Sequence, residues 1–236
     1  MSIQHLYFLR HAEALHNKRL PHGPMAEVPL SEDGFETVTH LPDALRQADF
    51  ISKPDVIFCS PLLRTIQTAK GVQEVFPDVP FEENADLIEW ANFDIPTGHI
   101  MTLEEKMPLV KEIWARTDPH YRANDLGETF HDSVLRTQRA RMMLLNDPRD
   151  HIFCVSHGHF IRTFTMDLRN ELHPTGETML LNKSYQHISN LDIVHITHAR
   201  DTGDIAITYR RFKEDYAEPR PYPYKKPAHI EDKALF

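Results

Sequence analysis

LYFLRHAEALHN, residues 6 to 17, decides the fold. The apolar run Leu6–Leu9 has the pattern of a strand buried on both faces, and it stops abruptly at Arg10 and His11. In an open α/β sheet ligands collect at the carboxyl ends of the strands. The reading therefore puts Arg10 and His11 where a site would be. Residues 12–19 are expected to open a helix, with Glu13 in its first turn, where the helix dipole favours an acid, and Asn17 one turn on.

The same punctuation recurs twice. VIFCS, residues 56–60, ends at Ser60-Pro61 before a helical segment whose first turn carries Arg64. Ser60 is expected to cap that helix and Pro61 to occupy its first position. An arginine at a helix N-terminus opposes the dipole, which favours a functional placement. HIFCVS, residues 151–156, ends at His157 before a further helix. If the three strands are parallel neighbours, Arg10, His11, Arg64 and His157 converge at one sheet edge.

Around this frame, Ser31 is expected to cap a helix with a kink or break at Pro42. Residues 129–146 predict a helix whose apolar face is Val134, Leu135, Met142, Met143 and Leu145. Near the end, two alternating segments flank Asp201-Thr202-Gly203-Asp204, as in an antiparallel hairpin. The fold expected is α/β: a three-layer α/β/α arrangement with a mostly parallel central sheet, an antiparallel edge hairpin and a helical lid insertion. The domain is expected over residues 1–215, with the lid at 92–127 and a Pro-rich tail at 216–236, an extended strap or disordered.

Composition narrows the partners. A formal net charge of -9 disfavours nucleic acid and anionic membranes, yet permits a small phosphorylated anion in a positive pocket. Cys59 and Cys154 sit in apolar runs and are expected as reduced core residues, with a disulfide open only if their strands are neighbours. No signal-peptide pattern and no long apolar stretch is evident, so a cytoplasmic location is expected, and a homodimer is left open. The sixteen histidines raise the question of a metal. His157 with His159, or His195 with His198, lacks partner carboxylates or cysteines at zinc spacing, so no metal and no cofactor is expected. His159, His187, His195 and His198 are taken as structural.

Two guanidiniums make a bidentate clamp suited to phosphate geometry. One neutral imidazole can attack phosphorus while a second stabilises the charge that gathers on the equatorial oxygens. The leaving alkoxide then needs a proton from a carboxylic acid.

LRHAE, SPLLRTIQTA and VSHGH, together with PLSEDG and LGET, resemble the histidine phosphatase superfamily, the phosphoglycerate-mutase-like proteins named for an RHG motif. The resemblance covers roughly residues 5 to 165. It implies a phosphohistidine at His11, with Arg10, Arg64 and His157 on the phosphoryl group, Asn17 facing the phosphate, and no metal. Glu89 in LIEW matches the acid of one branch, with Glu13 in reserve. Ala12 departs from the motif's glycine, and His159 stands where another branch has its aspartate. The segment ANFDIPTG lacks the FGxWEG-like stretch of many mutases and resembles the shorter fungal members. Phosphatase action on a small phosphorylated metabolite is the leading expectation. Mutase transfer, non-phosphoryl acid-base chemistry and binding alone are the alternatives.

Overall fold

The computed structural model describes residues 2–184, 188–214, 216 and 220–221. Its frame is one mixed sheet of seven strands among the described residues: β1 (Ile3–Arg10), β2 (Val56–Cys59), β3 (Phe81–Glu83), β4 (His151–Ser156), β5 (Ile193–Ala199), β6 (Ile205–Arg210) and β7 (Arg220–Pro221). The order is β3-β2-β4-β1-β5-β6-β7, parallel from β3 to β1 and antiparallel from β1 onward. The two predicted hairpin segments are β5 and β6, turning at Gly203, which has φ 78°.

Alternation along β1 builds two cores. Leu6 and Phe8 face one side with Val56, Phe58, Ile152 and Cys154, and Tyr7 and Leu9 face the other with Ile57, Cys59, Phe153 and Val155. Helices α4 (Phe130–Leu145) and α5 (Gly158–Leu168) cover the first face, and α1 (Glu32–Gln47) and α2 (Leu63–Val75) the second. This is the expected three-layer arrangement. Segment 92–127 carries α3 (Leu103–Arg116), which sets Leu109, Val110, Ile113 and Trp114 on the first core. A further helix, α6 (Gly176–Ser184), follows α5. Cys59 and Cys154 are buried and free, although their strands are neighbours.

Several local expectations are corrected. Residues 12–19 form no helix: Ala14 bridges to Leu30, and Asn17 Oδ1 accepts the Ala14 N–H at 3.0 Å, closing a turn instead. Pro42 does not break α1, because Leu41, Pro42, Ala44 and Leu45 all lie on its buried face, and that packing outweighs the lost backbone bond. Pro61 and Ser60 do not start α2, whose N-cap position is Leu62 without a side-chain cap; the Ser60 hydroxyl accepts from Leu62 N–H at 3.4 Å and lies 2.8 Å from His157 Nε2. On α4 the buried face is Phe130, Val134, Ala140 and Leu144, while Leu135 and Met142 are exposed. The predicted tail falls mostly outside the described residues, as does His187, but Tyr216 is buried and donates its hydroxyl to Leu191 O at 2.7 Å. No described helix is long and apolar enough to cross a membrane.

Candidate active site

Register makes the site. Arg10 pairs with Ser156 across β1 and β4, and Cys59 pairs with Val155 across β2 and β4. The next residues therefore leave three adjacent parallel strands at neighbouring levels, His11 opposite His157 and Ser60 opposite Ser156. His11 N–H still donates to Ser156 O at 2.9 Å, and Ser60 N–H to Val155 O at 3.0 Å. Arg64, in the first turn of α2, leans back over the strand ends. All four clamp residues are buried: Arg64 and His157 completely, His11 and Arg10 nearly so.

The hydrogen bonds fix the state of His11. Its Nδ1 lies 2.6 Å from Ala12 O, which can only accept, so Nδ1 carries the proton. Nε2 is left with a lone pair, and Arg64 Nε points a donor at it from 3.4 Å. Burial, then the charges of Arg64 and Arg10, hold the imidazole well below its usual pKa. A neutral His11 with a bare Nε2 is the form a nucleophile needs. The backbone is pinned as well, since Asn190 Nδ2 donates to His11 O at 2.8 Å and Ala12 N–H donates to Thr68 Oγ1 at 3.0 Å. The buried Ala12 methyl is accommodated in the second core.

The ring of His157 sits 5.1 Å from that of His11, at 61°. Its Nε2 is 2.8 Å from the Ser60 hydroxyl, and its buried Nδ1 has no protein partner. It too is held neutral, by burial and then by Arg64. Arg64 gives Nη1 to Met25 O at 2.7 Å, while Nη2 is buried without a partner, and burial lowers its pKa to about 10. Arg10 donates Nη1 to Ile188 O and is likewise shifted down by burial. A Cβ on Gly158 would come within 3.2 Å of Arg10 Nε, so the glycine leaves that guanidinium its place.

Glu89 follows a 3-10 turn over Ala85–Leu87. Its carboxylate accepts from His159 N at 3.3 Å, Phe160 N at 3.1 Å and Trp90 N at 3.2 Å. It thus caps α5, whose N-cap residue His157 makes no side-chain cap bond, and its charge also acts on Arg10 and Arg64. Two supports hold this segment. Ser156 donates to Leu87 O at 2.7 Å, and Arg136 donates to Asp86 O at 3.0 Å and Ile88 O at 2.9 Å. Arg136 is itself gripped by Glu128 of LGET at 2.8 and 2.7 Å.

The tertiary structure brings Arg10, His11, Arg64, His157 and Glu89 together. Glu13 is not among them: its carboxylate accepts from Ser31 Oγ at 2.8 Å, lies 3.5 Å from Lys18 and lines a separate cavity with Asp33 and Asn190. Asn17 spends its amide on Ala14 N–H and on His16, whose Nε2 lies 3.1 Å from Asn17 Nδ2. His16 is the residue beside His11, with ring centroids 5.7 Å apart, and burial and Arg64 depress it to about 2. Sequence reasoning missed His16 and Ser60 as a partner of His157. Only the HN pair at 16–17 offered a local signal. Among the described residues no cluster of three or more His, Cys, Asp or Glu is set to hold a metal.

A family model for the histidine phosphatase superfamily, branch 1, matches residues 6–205. The chain belongs to the histidine phosphatase superfamily. Solved structures agree on the fold. An alpha-ribazole phosphatase from Shigella flexneri superposes with a TM-score of 0.64 at 20% identity, over 84% of this chain and 92% of that one. A mycobacterial glucosyl-3-phosphoglycerate phosphatase does so with 0.62 at 18% identity, over 87% and 97%. At these identities the likeness speaks for the fold and not for a substrate. No curated protein sequence matches the chain.

Proposed function

We propose that the protein hydrolyses a phosphate monoester of a small molecule by way of phospho-His11. The observation that carries this reading is the His11 ring, with its proton held on Nδ1 by Ala12 O and its Nε2 lone pair turned to the Arg64 guanidinium. In the first step Nε2 attacks phosphorus and the N–P bond forms as the P–O bond to the alcohol breaks. Arg10, Arg64 and His157 hold the equatorial oxygens, and the carboxyl of Glu89 gives its proton to the departing alkoxide. In the second step Glu89, now a carboxylate, takes a proton from water. That water attacks phosphorus, the N–P bond breaks, and inorganic phosphate leaves.

The mutase and non-phosphoryl alternatives share the clamp but have no observation of their own here. The test uses p-nitrophenyl phosphate with the wild type and His11→Gln. The reading expects the variant to lose turnover, and the wild type to carry acid-labile phosphate that the variant lacks. Turnover retained by His11→Gln would overturn it.

A further inference from the structure

Beneath α3 lies a cavity of about 210 Å³, walled by Trp90, Phe93, Ile113 and Trp114 and lined also by Lys106 and His22. Met25, whose carbonyl receives Arg64 Nη1, and His159, whose N–H reaches Glu89, also line it. The cavity thus borders the clamp on one side and the acid on the other, where the alcohol of the substrate must lie. Roughly 150 Å³ of apolar space accommodates one benzene ring. Here the two indoles meet edge to face, with centroids 5.8 Å apart, and leave flat apolar walls.

The polar end is unusual in its pairing. The half-buried Lys106 places its ammonium 3.3 Å from His22 Nε2, a neutral acceptor whose other nitrogen is committed to Gly23 O at 2.8 Å. Among the described residues no carboxylate lies within ion-pair distance of Lys106. Asp94 lines the same cavity, but its Oδ1 is taken by Met25 N and Ile95 N, each at 2.8 Å. His16 shares a second cavity with Lys106 and His22, and its Nδ1 is buried without a partner. A single lysine beside neutral imidazoles, with Asp94 nearby, suits a monoanion better than a dianion, for which a guanidinium fork is the better match.

We infer that this cavity is the leaving-group site, and that the substrate's alcohol is a single aromatic or apolar ring bearing a carboxylate that pairs with Lys106. The inference rests on the phosphatase reading above and names its substrate class. Glu89 would protonate the ring's oxygen while Lys106, on the Arg64 side of the cavity, pairs with the ring's carboxylate and so fixes how the ester sits against His11.

The probes are phenyl phosphate and 3-carboxyphenyl phosphate, whose leaving groups differ little in intrinsic reactivity. A buried charge-assisted bond corresponds to about a tenfold to hundredfold preference in kcat/KM for the carboxylated ester. Lys106→Met should bring the ratio of the two esters near one. A wild-type ratio near one, or a ratio that survives Lys106→Met, overturns the inference while leaving the phosphatase reading intact. Calorimetry with 3-hydroxybenzoate and phenol reads the cavity without turnover. Tighter binding of the acid by the wild type supports the inference, and equal affinities overturn it. Absence of turnover with either ester counts against the phosphatase reading and is distinguishable from both.

Discussion

Arg64→Met removes one arm of the clamp and, at the same time, a buried charge, so its effects on activity and stability should have opposite signs. Arg64 is completely buried, one of its nitrogens has no partner, and among the described residues no carboxylate forms an ion pair with it. Burying an unpaired ion costs several kcal/mol. Methionine fills similar space without charge, but it abandons the bond to Met25 O, which costs about 1–3 kcal/mol. The balance is a gain of about 1–2 kcal/mol, which for a chain of this size raises Tm by roughly 3–6 °C. Loss of one preorganised donor to the phosphoryl oxygens lowers kcat/KM about 10²–10³-fold. Inorganic phosphate at about 100 times Kd should stabilise the wild type by roughly 2.7 kcal/mol, and the variant by much less. Thermal melts with and without phosphate, alongside p-nitrophenyl phosphate kinetics, check all three. A variant that melts lower, keeps the full phosphate shift or retains more than about a tenth of the activity would refute the picture of Arg64 as a charge buried for its ligand.

Three further outcomes are expected. Arg136→Met should leave Glu128 unpaired and free the Asp86–Ile88 carbonyls, lowering stability by about 3–5 kcal/mol. On the proposed mechanism this segment carries the acid, Glu89, so kcat should fall more for a poor leaving group such as glycerol phosphate than for p-nitrophenyl phosphate, and equal losses would argue against a positioning role. Gly158→Ala should press on Arg10 and raise the inhibition constant of inorganic phosphate several-fold, with Tm nearly unchanged; an unaltered constant would show that the contact is without consequence. Stability should fall in mild acid. His195 is depressed to about 4 by burial and then by His5, whose Nδ1 lies 3.0 Å from its Nε2, and His11, His16 and His157 are also held neutral. The unfolded chain takes up these protons first, so the stabilisation is complete above about pH 6.5 and is lost as pH falls toward the folded values, by at most about 1.4 kcal/mol per pH unit for each group. Urea midpoints from pH 7 to 5 measure it, and His195→Gln should flatten the slope; midpoints independent of pH would contradict the assignment.

The pattern of the chain alone carried the fold class and most of the side chains that gather at the strand ends. Apolar runs that stop abruptly at polar residues mark β1, β2 and β4 without reference to anything distant, and parallel strands in one sheet must bring their ends to one edge. Arg10, His11, Arg64 and His157 were legible for that reason. Glu89 was legible only through family resemblance, since nothing local distinguishes it from an edge charge; its position depends on Ser156, Arg136 and the N-terminus of α5, all far away in sequence. Two local expectations gave way to tertiary contacts: Ala14 pairs with Leu30 where a helix was expected, and Glu13 turns to Ser31. Ser60 meets His157 at 2.8 Å and only a long bond from Leu62 N–H, at 3.4 Å, ties it to α2.

The opening stretch therefore determined that His11 stands at a strand end beside Arg10, because hydrophobic periodicity and the sudden appearance of charge are written in consecutive residues. Only the folded chain decided the proton's place on His11, since the Arg64 guanidinium reaches Nε2 only after β1 and α2 have packed, leaving Nδ1 to the neighbouring Ala12 O. The same holds for Lys106, which an amphipathic pattern on α3 cannot distinguish from a solvated lysine. Its neighbours His22 and Arg64 come from other segments, and the space it shares with two tryptophans exists only in three dimensions.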